Sequence, residues 1–316
     1  MPSVTTSPTP SPALSIPGSV WLFAQPPLPP GSTLPFADGS VDYLDLWQAD
    51  APWANAADSV DVFEIASSWV MNYAAPSELR QVVSGVASRG MKLALGIGAF
   101  SADEGGCGFG VEGFDAGLEP LWKIRDAGGH VDFIVWDEPY AFGVRDPSAD
   151  ACHWSVAEAA QHAVFFANQV RDYDPSITVG GDEPMWAGIS ATDIGGWLDT
   201  YAAATGMPYA FLHIDVDWSV ADWPATVLAT EKEAEARGVP VAVIYNGGDS
   251  AATDAEWVDL AMQRAQVYEE ATGGRPDHTA LESWMDHPDH LLPETDPTTF
   301  SALINRYLEL RSTLRQ

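Results

Sequence analysis

The sequence predicts a single (β/α)8 barrel, and three observations support this fold class. Short apolar segments alternate with amphipathic helical patterns along the whole chain after residue 18. The alternation gives eight strand candidates, and a β/α barrel needs about 250 residues or more as one unit, which a chain of 316 residues provides. The glycine-rich phosphate-binding turn of a doubly wound open sheet is absent. We therefore expect a barrel over residues 19–316, preceded by a disordered segment rich in Pro, Ser and Thr over residues 1–18.

The eight predicted strands are short, apolar and separated by lengths that fit two loops and a helix. Strands that alternate with helices favour a parallel sheet, and eight such units favour its closure into a barrel. The predicted strands are Val20–Ala24, Val60–Ile65, Lys92–Ile97, Val131–Trp136, Ile177–Gly181, Tyr209–Val216, Val239–Tyr245 and Thr279–Ser283.

Several of the intervening helices carry start signals. Ser155 with Glu158, and Thr253 with Glu256, have the spacing of a capping box, in which each residue satisfies a backbone N–H of the other. A helix over 77–90 begins after Ser77, and Asp296 with Pro297 predicts the start of the last helix. Less clear helices cover 193–204 and 222–237, and the stretch 26–57 carries little sign of a full helix.

The charge balance excludes some classes of partner. The chain has 45 acidic and 14 basic residues and a formal net charge of −31, which argues against nucleic acid and against anionic membrane surfaces. No apolar run is long enough to span a bilayer. The first residues lack the pattern of a signal peptide, but such Pro/Ser/Thr-rich linkers are common in secreted enzymes, so we expect a secreted monomer. Cys107 and Cys152 are the two cysteines, and a disulfide between them would join the loops after strands three and four.

Acidic and aromatic residues recur where the predicted strands end. In a β/α barrel, the carboxyl ends of the strands form the active-site face. Carboxylates accept hydrogen bonds from hydroxyl groups, and tryptophan faces pack on the apolar faces of sugar rings. We therefore predict a carbohydrate site built from these residues, in chain order: Glu64, Trp69, Asp137, Glu138, Asp182, Glu183, Trp186, His213, Asp215, Asp217, Trp218, Tyr245, Asn246, Glu282 and Trp284.

Glu138 is the predicted general acid of this site. Hydrolysis of a glycosidic bond needs one protonated and one ionised carboxyl group, and clustered acids raise one another's pKa values. Glu138 ends a buried strand, and Pro139 stiffens the turn that presents it. Its catalytic partner stays open among Asp215, Glu282 and Glu183. Because successive residues of a strand point to opposite faces, we expect Asp137 and Glu138 to point apart, unless the strand bulges. The same holds for Asp182 and Glu183.

At Trp136-Asp137-Glu138-Pro139 the sequence resembles the β/α-barrel glycoside hydrolases. In the large retaining superfamily of that kind, strand four ends in Asn-Glu-Pro and its glutamate is the acid/base. The resemblance implies that role for Glu138. The sequence departs from that pattern at Asp137, which replaces the asparagine, and after strand seven, where the nucleophilic glutamate is missing.

Two other functions use the same residues. Glu138, Glu183, His213, Asp215 and Glu282 resemble the ligand set of metal-dependent barrel sugar isomerases and epimerases, for which Mg²⁺ or Mn²⁺ would be suitable. Against this, no lysine lies near the carboxyl end of a predicted strand, where it could assist ring opening. A non-catalytic sugar-binding barrel is the third possibility. The glycosidase interpretation requires no metal or other cofactor.

Overall fold

The computed structural model describes residues 18–28, 39–98, 117–147, 152–186 and 188–314. Its eight strands form a closed barrel in the order β1 to β8, and every strand is parallel to both of its neighbours. Helices surround this barrel. The predicted fold class is therefore confirmed. Residues 1–17 and Cys107 lie outside the described residues, and so do the predicted N-terminal segment and one half of the predicted disulfide.

The strands agree with the sequence prediction to within three residues at each end. The largest differences are at β5, which ends three residues later, and at β6, which begins three residues later. Val60, Val131 and Tyr209 precede the paired segments but are 1–5% exposed, because apolar residues just before a strand pack under the barrel without pairing. The strands are β1 Val20–Ala24, β2 Val62–Ala66, β3 Lys92–Gly98, β4 Phe133–Asp137, β5 Thr178–Pro184, β6 Leu212–Asp215, β7 Val241–Tyr245 and β8 Thr279–Ser283.

A helix follows each strand. The helix between β3 and β4 was not predicted, and a 3-10 helix at Tyr43–Trp47 precedes the four-residue α1, as expected for a stretch with little helical signal. The helices are α1 Ala54–Ala57, α2 Pro76–Ser88, α3 Glu119–Asp126, α4 Val156–Tyr173, α5 Ala191–Thr205, α6 Trp223–Glu235, α7 Asp254–Ala265 and α8 Phe300–Leu314. Within the described ranges, no helix has the length and apolar content needed to cross a bilayer.

The helix starts show which capping signals were correct. The Ser155 hydroxyl accepts a hydrogen bond from the Glu158 N–H, and the Glu158 carboxylate accepts one from the Ser155 N–H, which confirms that capping box. The Thr253 hydroxyl caps α7 by accepting a hydrogen bond from the Glu256 N–H, but the Glu256 carboxylate accepts from the Ala252 N–H, so the predicted capping box is only half formed. The predicted start of the last helix at Asp296 was wrong. Its carboxylate instead binds the N–H and hydroxyl of Thr298 in a turn, and α8 begins at Phe300.

The lower half of the barrel interior is aromatic. The Trp21 ring lies 4.8 Å from the rings of Phe133 and Phe211, and all three side chains are fully buried. Burial of each such side chain contributes about 1.5–3 kcal/mol. We call these three residues the aromatic floor, because they close the barrel beneath the polar layer described below.

The first and last units of the chain meet along a polar seam. Strand β1 pairs with β8 through five residue pairs. The Asp42 carboxylate accepts hydrogen bonds from the N–H groups of Leu291 and Leu292, and the Glu294 carboxylate accepts one from the N–H of Ala56 at the start of α1. These contacts join residues that are 238–250 positions apart in the sequence. They hold the last loop against the first β/α unit.

Candidate active site

A cavity opens at the carboxyl ends of the strands. This is the face on which β/α-barrel enzymes carry their active sites. Six carboxylate residues contributed by β2, β4, β5, β6 and β8, or by the residue directly after β4, line the cavity. They are Glu64, Asp137, Glu138, Asp182, Asp215 and Glu282. The predicted convergence of acids from separate strands at one face is therefore present.

Asp137 and Glu138 both line the cavity, although neighbouring residues of a strand should point to opposite sides. Asp137 is the last residue of β4 and faces inward. Glu138 has a φ of 51°, in the left-handed region that non-glycine residues rarely adopt. This conformation ends the strand and returns the Glu138 side chain to the cavity. The predicted divergence of these two acids was therefore wrong.

Asp182 and Glu183 do point apart, as predicted. Asp182 lines the cavity and pairs in register with Asp137. The Glu183 carboxylate points away from it and accepts hydrogen bonds from the N–H groups of Tyr140 and Ala141, at 2.7 and 3.1 Å. Glu183 therefore anchors the backbone after β4, and its predicted place in the catalytic set is corrected.

His213 lies at the bottom of the polar layer and does not line the cavity. Its ring packs edge-on against Trp21 of the aromatic floor, and it is fully buried. Its Nδ1 atom is 3.5 Å from the Glu282 carboxylate, and its Nε2 atom is 3.1 Å from the Nε2 of His278. No sequence pattern indicated the role of His278, which lies just before β8 and is also buried.

Burial and mutual repulsion shift the proton equilibria of these acids. Burial raises the pKa of Glu138 well above its ordinary value, and the charges of Asp137 and Asp215 raise it further. Burial also raises the pKa of Asp182, with a second contribution from Asp137. The pKa of Asp215 rises to about 7, first through burial and then through the charges of Glu282 and Asp137. At neutral pH the cavity therefore holds protons on some of its carboxyl groups.

No arginine or lysine lines the cavity in the described part of the chain. The chain has three lysines, and all three lie elsewhere. Lys92 pairs with Asp132 at the opposite end of the barrel, Lys123 donates to the Met71 carbonyl, and Lys232 lies in the last turn of α6. The cavity can therefore donate protons through its acids but cannot form a lysine Schiff base.

Two of the predicted aromatic residues reach the cavity. Trp69 and Trp284 line it together with Phe23 and Leu28. Gln25 and Ser68 add polar groups. Phe23, Gln25 and Leu28 were not predicted to line the site. Their positions, on the inward alternation of β1 and in the loop after it, are the sequence feature that could have indicated them.

The remaining predicted residues have structural contacts away from the cavity. The Trp186 ring packs edge-on against Phe142, and the Asp217 carboxylate binds Ser219 in its own turn. None of the four residues Trp186, Asp217, Trp218 and Tyr245 lines the cavity, and neither does Asn246.

Trp218, Asn246 and Tyr245 belong to the layer between strands and helices. The Trp218 indole N–H donates to the Asn246 side chain, which also accepts from the Gly248 N–H. The Tyr245 hydroxyl donates to the buried Glu269 carboxylate. Tyr245 faces outward because its neighbour Ile244 faces the barrel interior. Their predicted contact with substrate is therefore corrected.

Comparisons with known proteins support the fold. The chain matches no protein-family model and no curated protein. Among solved structures, it is similar to a psychrophilic glycoside hydrolase family 10 endo-β-1,4-xylanase, at 9% identity over 90% of this chain and 89% of that chain, with a TM-score of 0.52. It is also similar to an endo-1,4-β-xylanase from Caldicellulosiruptor owensensis, at 8% identity over 85% of each chain and a TM-score of 0.51. An HpcH/HpaI aldolase from Desulfitobacterium hafniense matches at 9% identity over 95% and 93%, with a TM-score of 0.41. At such identities the likeness shows the barrel fold alone.

Proposed function

We propose that this protein is a glycoside hydrolase that cleaves an oligo- or polysaccharide, with Glu138 as its general acid. One observation carries the proposal. Glu138 adopts a left-handed backbone conformation that aims its carboxyl group into a cavity with five other acids. Such a conformation costs about 1–3 kcal/mol and is typically retained where function requires it.

Glu138 has the protonation behaviour of an acid catalyst. Its raised pKa keeps the carboxyl group protonated at a pH where an exposed glutamate is ionised. The glycosidic oxygen of a sugar–sugar linkage is a poor leaving group unless it is protonated as its bond to the anomeric carbon breaks. Burial beside Asp137 and Asp215 therefore prepares Glu138 to donate that proton.

Asp215 is our proposed partner of Glu138. It lines the same cavity from β6, two strands away, and its charge acts directly on Glu138. As a carboxylate it would stabilise the positive charge that develops on the sugar ring, by direct attack or by activating water. Asp137 and Asp182 are placed to accept hydrogen bonds from hydroxyl groups. Trp284, which is partly exposed at the cavity, would supply a flat apolar surface on which a sugar ring packs.

The positions of the three lysines separate this proposal from the chemistry of Schiff-base aldolases. Class I aldolases and related barrels form a Schiff base between a lysine and a carbonyl substrate. The described lysines all lie outside the cavity, at Lys92, Lys123 and Lys232. Acid-assisted bond cleavage uses the groups that the cavity contains.

The test compares wild type with Glu138→Gln on two kinds of substrate. We expect wild type to hydrolyse oligosaccharides or aryl glycosides in a screen of common sugars. Glu138→Gln should lower kcat by about 10²–10⁴-fold on linkages with a poor leaving group, because general acid catalysis contributes about that factor. On dinitrophenyl glycosides the loss should be small, because that leaving group departs without a proton.

Two results would contradict the assignment. An equal loss on both kinds of substrate would indicate that Glu138 has a structural role. Absence of turnover by wild type across the screen, with sugar binding detected by calorimetry, would favour the non-catalytic sugar-binding barrel.

A further inference from the structure

Glu64, His213 and Glu282 form a compact cluster beneath the cavity. They come from β2, β6 and β8, and one ligand atom from each lies within 4.8 Å of the other two. All three side chains are buried, with exposed fractions of 6%, 0% and 6%. In the barrel register, Phe23 of β1 pairs with both glutamates, so the two carboxylates stand at the same height.

The Nδ1 atom of His213 has no hydrogen-bond partner, although it is fully buried. It points at the Glu282 carboxylate from 3.5 Å, which is longer than an N–H···O hydrogen bond of about 2.7–3.2 Å. Two ligand atoms bound to one tetrahedral zinc ion, each about 2.1 Å from it, lie roughly 3.4 Å apart. The distance between these atoms is therefore that of two ligands around a shared ion.

The second nitrogen of His213 has a hydrogen-bond partner. Its Nε2 lies 3.1 Å from the Nε2 of His278, so the N–H of one ring donates a hydrogen bond to the other ring. A histidine that binds a metal through one nitrogen usually donates a hydrogen bond from the other, which fixes the ring orientation. When His213 is the donor, its Nδ1 presents a lone pair to the two glutamates, an arrangement that a cation stabilises.

The surroundings favour a cation that remains accessible from above. The cavity is lined by six carboxylates and, in the described part of the chain, by no lysine or arginine. Below the cluster, the apolar rings of Trp21, Phe133 and Phe211 offer no ligand oxygen, and the Trp21 ring packs against His213. Above it, the cavity has space for water or for sugar hydroxyls. Two carboxylates with one imidazole suit first-row divalent ions.

We propose that Glu64, His213 and Glu282 bind one divalent transition-metal ion, Zn²⁺ or Mn²⁺, at the base of the cavity, with its open coordination positions facing the substrate. The site is independent of the proposed glycosidase activity, because its ligands do not include Glu138. A bound ion there would offset the charge of the carboxylate cluster and hold hydroxyl or water oxygens.

The test measures metal binding directly, without turnover. The full chain is treated with EDTA, desalted and titrated by calorimetry with Zn²⁺ alone and with Mn²⁺ alone. We expect one ion per chain with micromolar or tighter affinity, and a rise in the Tm of the wild type on binding. Glu64→Gln and Glu282→Gln should each weaken binding by at least 100-fold, because each removes one charged ligand.

Two variants serve as controls. Glu269→Gln changes a glutamate of similar burial, 4% exposed, that binds Tyr245 and Tyr307 on the outer side of the sheet. Asp289→Asn changes the more exposed Asp254–Asp289–His290 group, whose carboxylate and imidazole atoms also lie close together. Both should keep the high-affinity ion.

The proposal is overturned if wild type binds neither ion below millimolar concentration and shows no metal-dependent change in Tm. It is also overturned if Glu64→Gln and Glu282→Gln bind as tightly as wild type, or if Asp289→Asn alone removes the ion. Where a variant fails to fold, the metal-dependent change in the Tm of the wild type decides whether a bound ion stabilises the chain. Metal binding in a protein that hydrolyses no glycoside would leave the metal site intact and reject the proposed function.

Discussion

The tripeptide Asp-Glu-Pro occurs at the ends of two neighbouring strands, and its two copies behave differently. At 137–139, both acids line the cavity. At 182–184, only the aspartate does, while the Glu183 carboxylate binds the N–H groups of Tyr140 and Ala141. The two aspartates pair directly across the sheet, so the copies occupy equivalent heights in the barrel.

The difference lies in the backbone at the glutamate. Strand β5 continues through Pro184 and keeps the strict alternation of a strand. Strand β4 ends at Asp137, and Glu138 turns into the left-handed region at a φ of 51°. The N–H of Glu138 donates to the backbone and side-chain oxygens of Asp182, both at 3.2 Å. Identical residues thus line the cavity or anchor the backbone according to one dihedral angle.

The largest expected effect is on turnover. Glu138→Gln should lower kcat by about 10²–10⁴-fold on a natural linkage. Glu183→Gln should keep kcat within a few fold in the folded protein, because its carboxylate does not reach the cavity. Steady-state kinetics of both variants, normalised to folded protein by circular dichroism, check this contrast. Equal losses would show that the two copies are not functionally distinct.

The same two substitutions should change stability in opposite directions. Glu183→Gln should lower the free energy of unfolding by about 1–3 kcal/mol, since an amide can accept from only one of the two buried N–H groups and leaves the other unsatisfied. Glu138→Gln should raise it at pH 8, because at that pH the wild-type side chain must either keep a proton that the unfolded chain releases or bury a charge. Urea denaturation measures both changes. A destabilised Glu138→Gln would indicate that the carboxylate holds the fold together.

The increase in the free energy of unfolding caused by Glu138→Gln should depend on pH. Glu138 has a pKa in the folded protein above its ordinary value of 4.5, so the folded state binds more protons than the unfolded state between those two values. Stability conferred by the wild-type residue is therefore fully present below about pH 4.5 and is lost as pH rises through the folded pKa. A tenfold difference in acidity between the two states corresponds to about 1.4 kcal/mol. In thermal unfolding, Glu138→Gln should be more stable than the wild type at pH 8 but not at pH 4. An equal difference in stability at both pH values would reject the argument that burial raises the pKa of Glu138.

The smallest expected effect concerns the backbone itself. Glycine should be more stable than alanine at position 138 by about 1 kcal/mol, since a Cβ is disfavoured in the left-handed region. At position 183, within β5, alanine should be more stable than glycine by about 0.5–1 kcal/mol. Chemical denaturation of the four variants gives both differences. If the difference in stability between glycine and alanine had the same sign at both positions, the two backbone conformations would not differ in this way.

The comparison also shows which features a sequence can predict. The eight strands followed from local apolar patterns, and so did the face on which Asp137, Asp182, Asp215 and Glu282 meet. The conformation of Glu138 did not, because it depends on Asp182, a residue 44 positions away. Glu64 was expected at the end of its strand. Strand β2 ends at Ala66, two residues after Glu64, which places Glu64 deeper in the barrel, close to His213.

The errors among the outer aromatic residues have a related cause. The order of residues at the end of a strand does not by itself say which of them face inward. Tyr245 faces the helices because its neighbour Ile244 faces the barrel interior, and its hydroxyl donates to Glu269 there. His278 was overlooked because it precedes β8, and only the closed barrel brings it to His213.

The seam between the first and last β/α units has a consequence for how the chain folds. Its contacts connect Asp42 with Leu291 and Glu294 with Ala56, so their formation closes loops of about 240–250 residues. Contacts of such long sequence separation carry a high entropic cost before they confer stability, and they slow folding. Until β8 is in place, β1 and β7 present open strand edges that can pair with other chains. We expect the nascent barrel to be most prone to aggregation just before its last strand arrives, and the seam to be the last region to gain protection from hydrogen exchange.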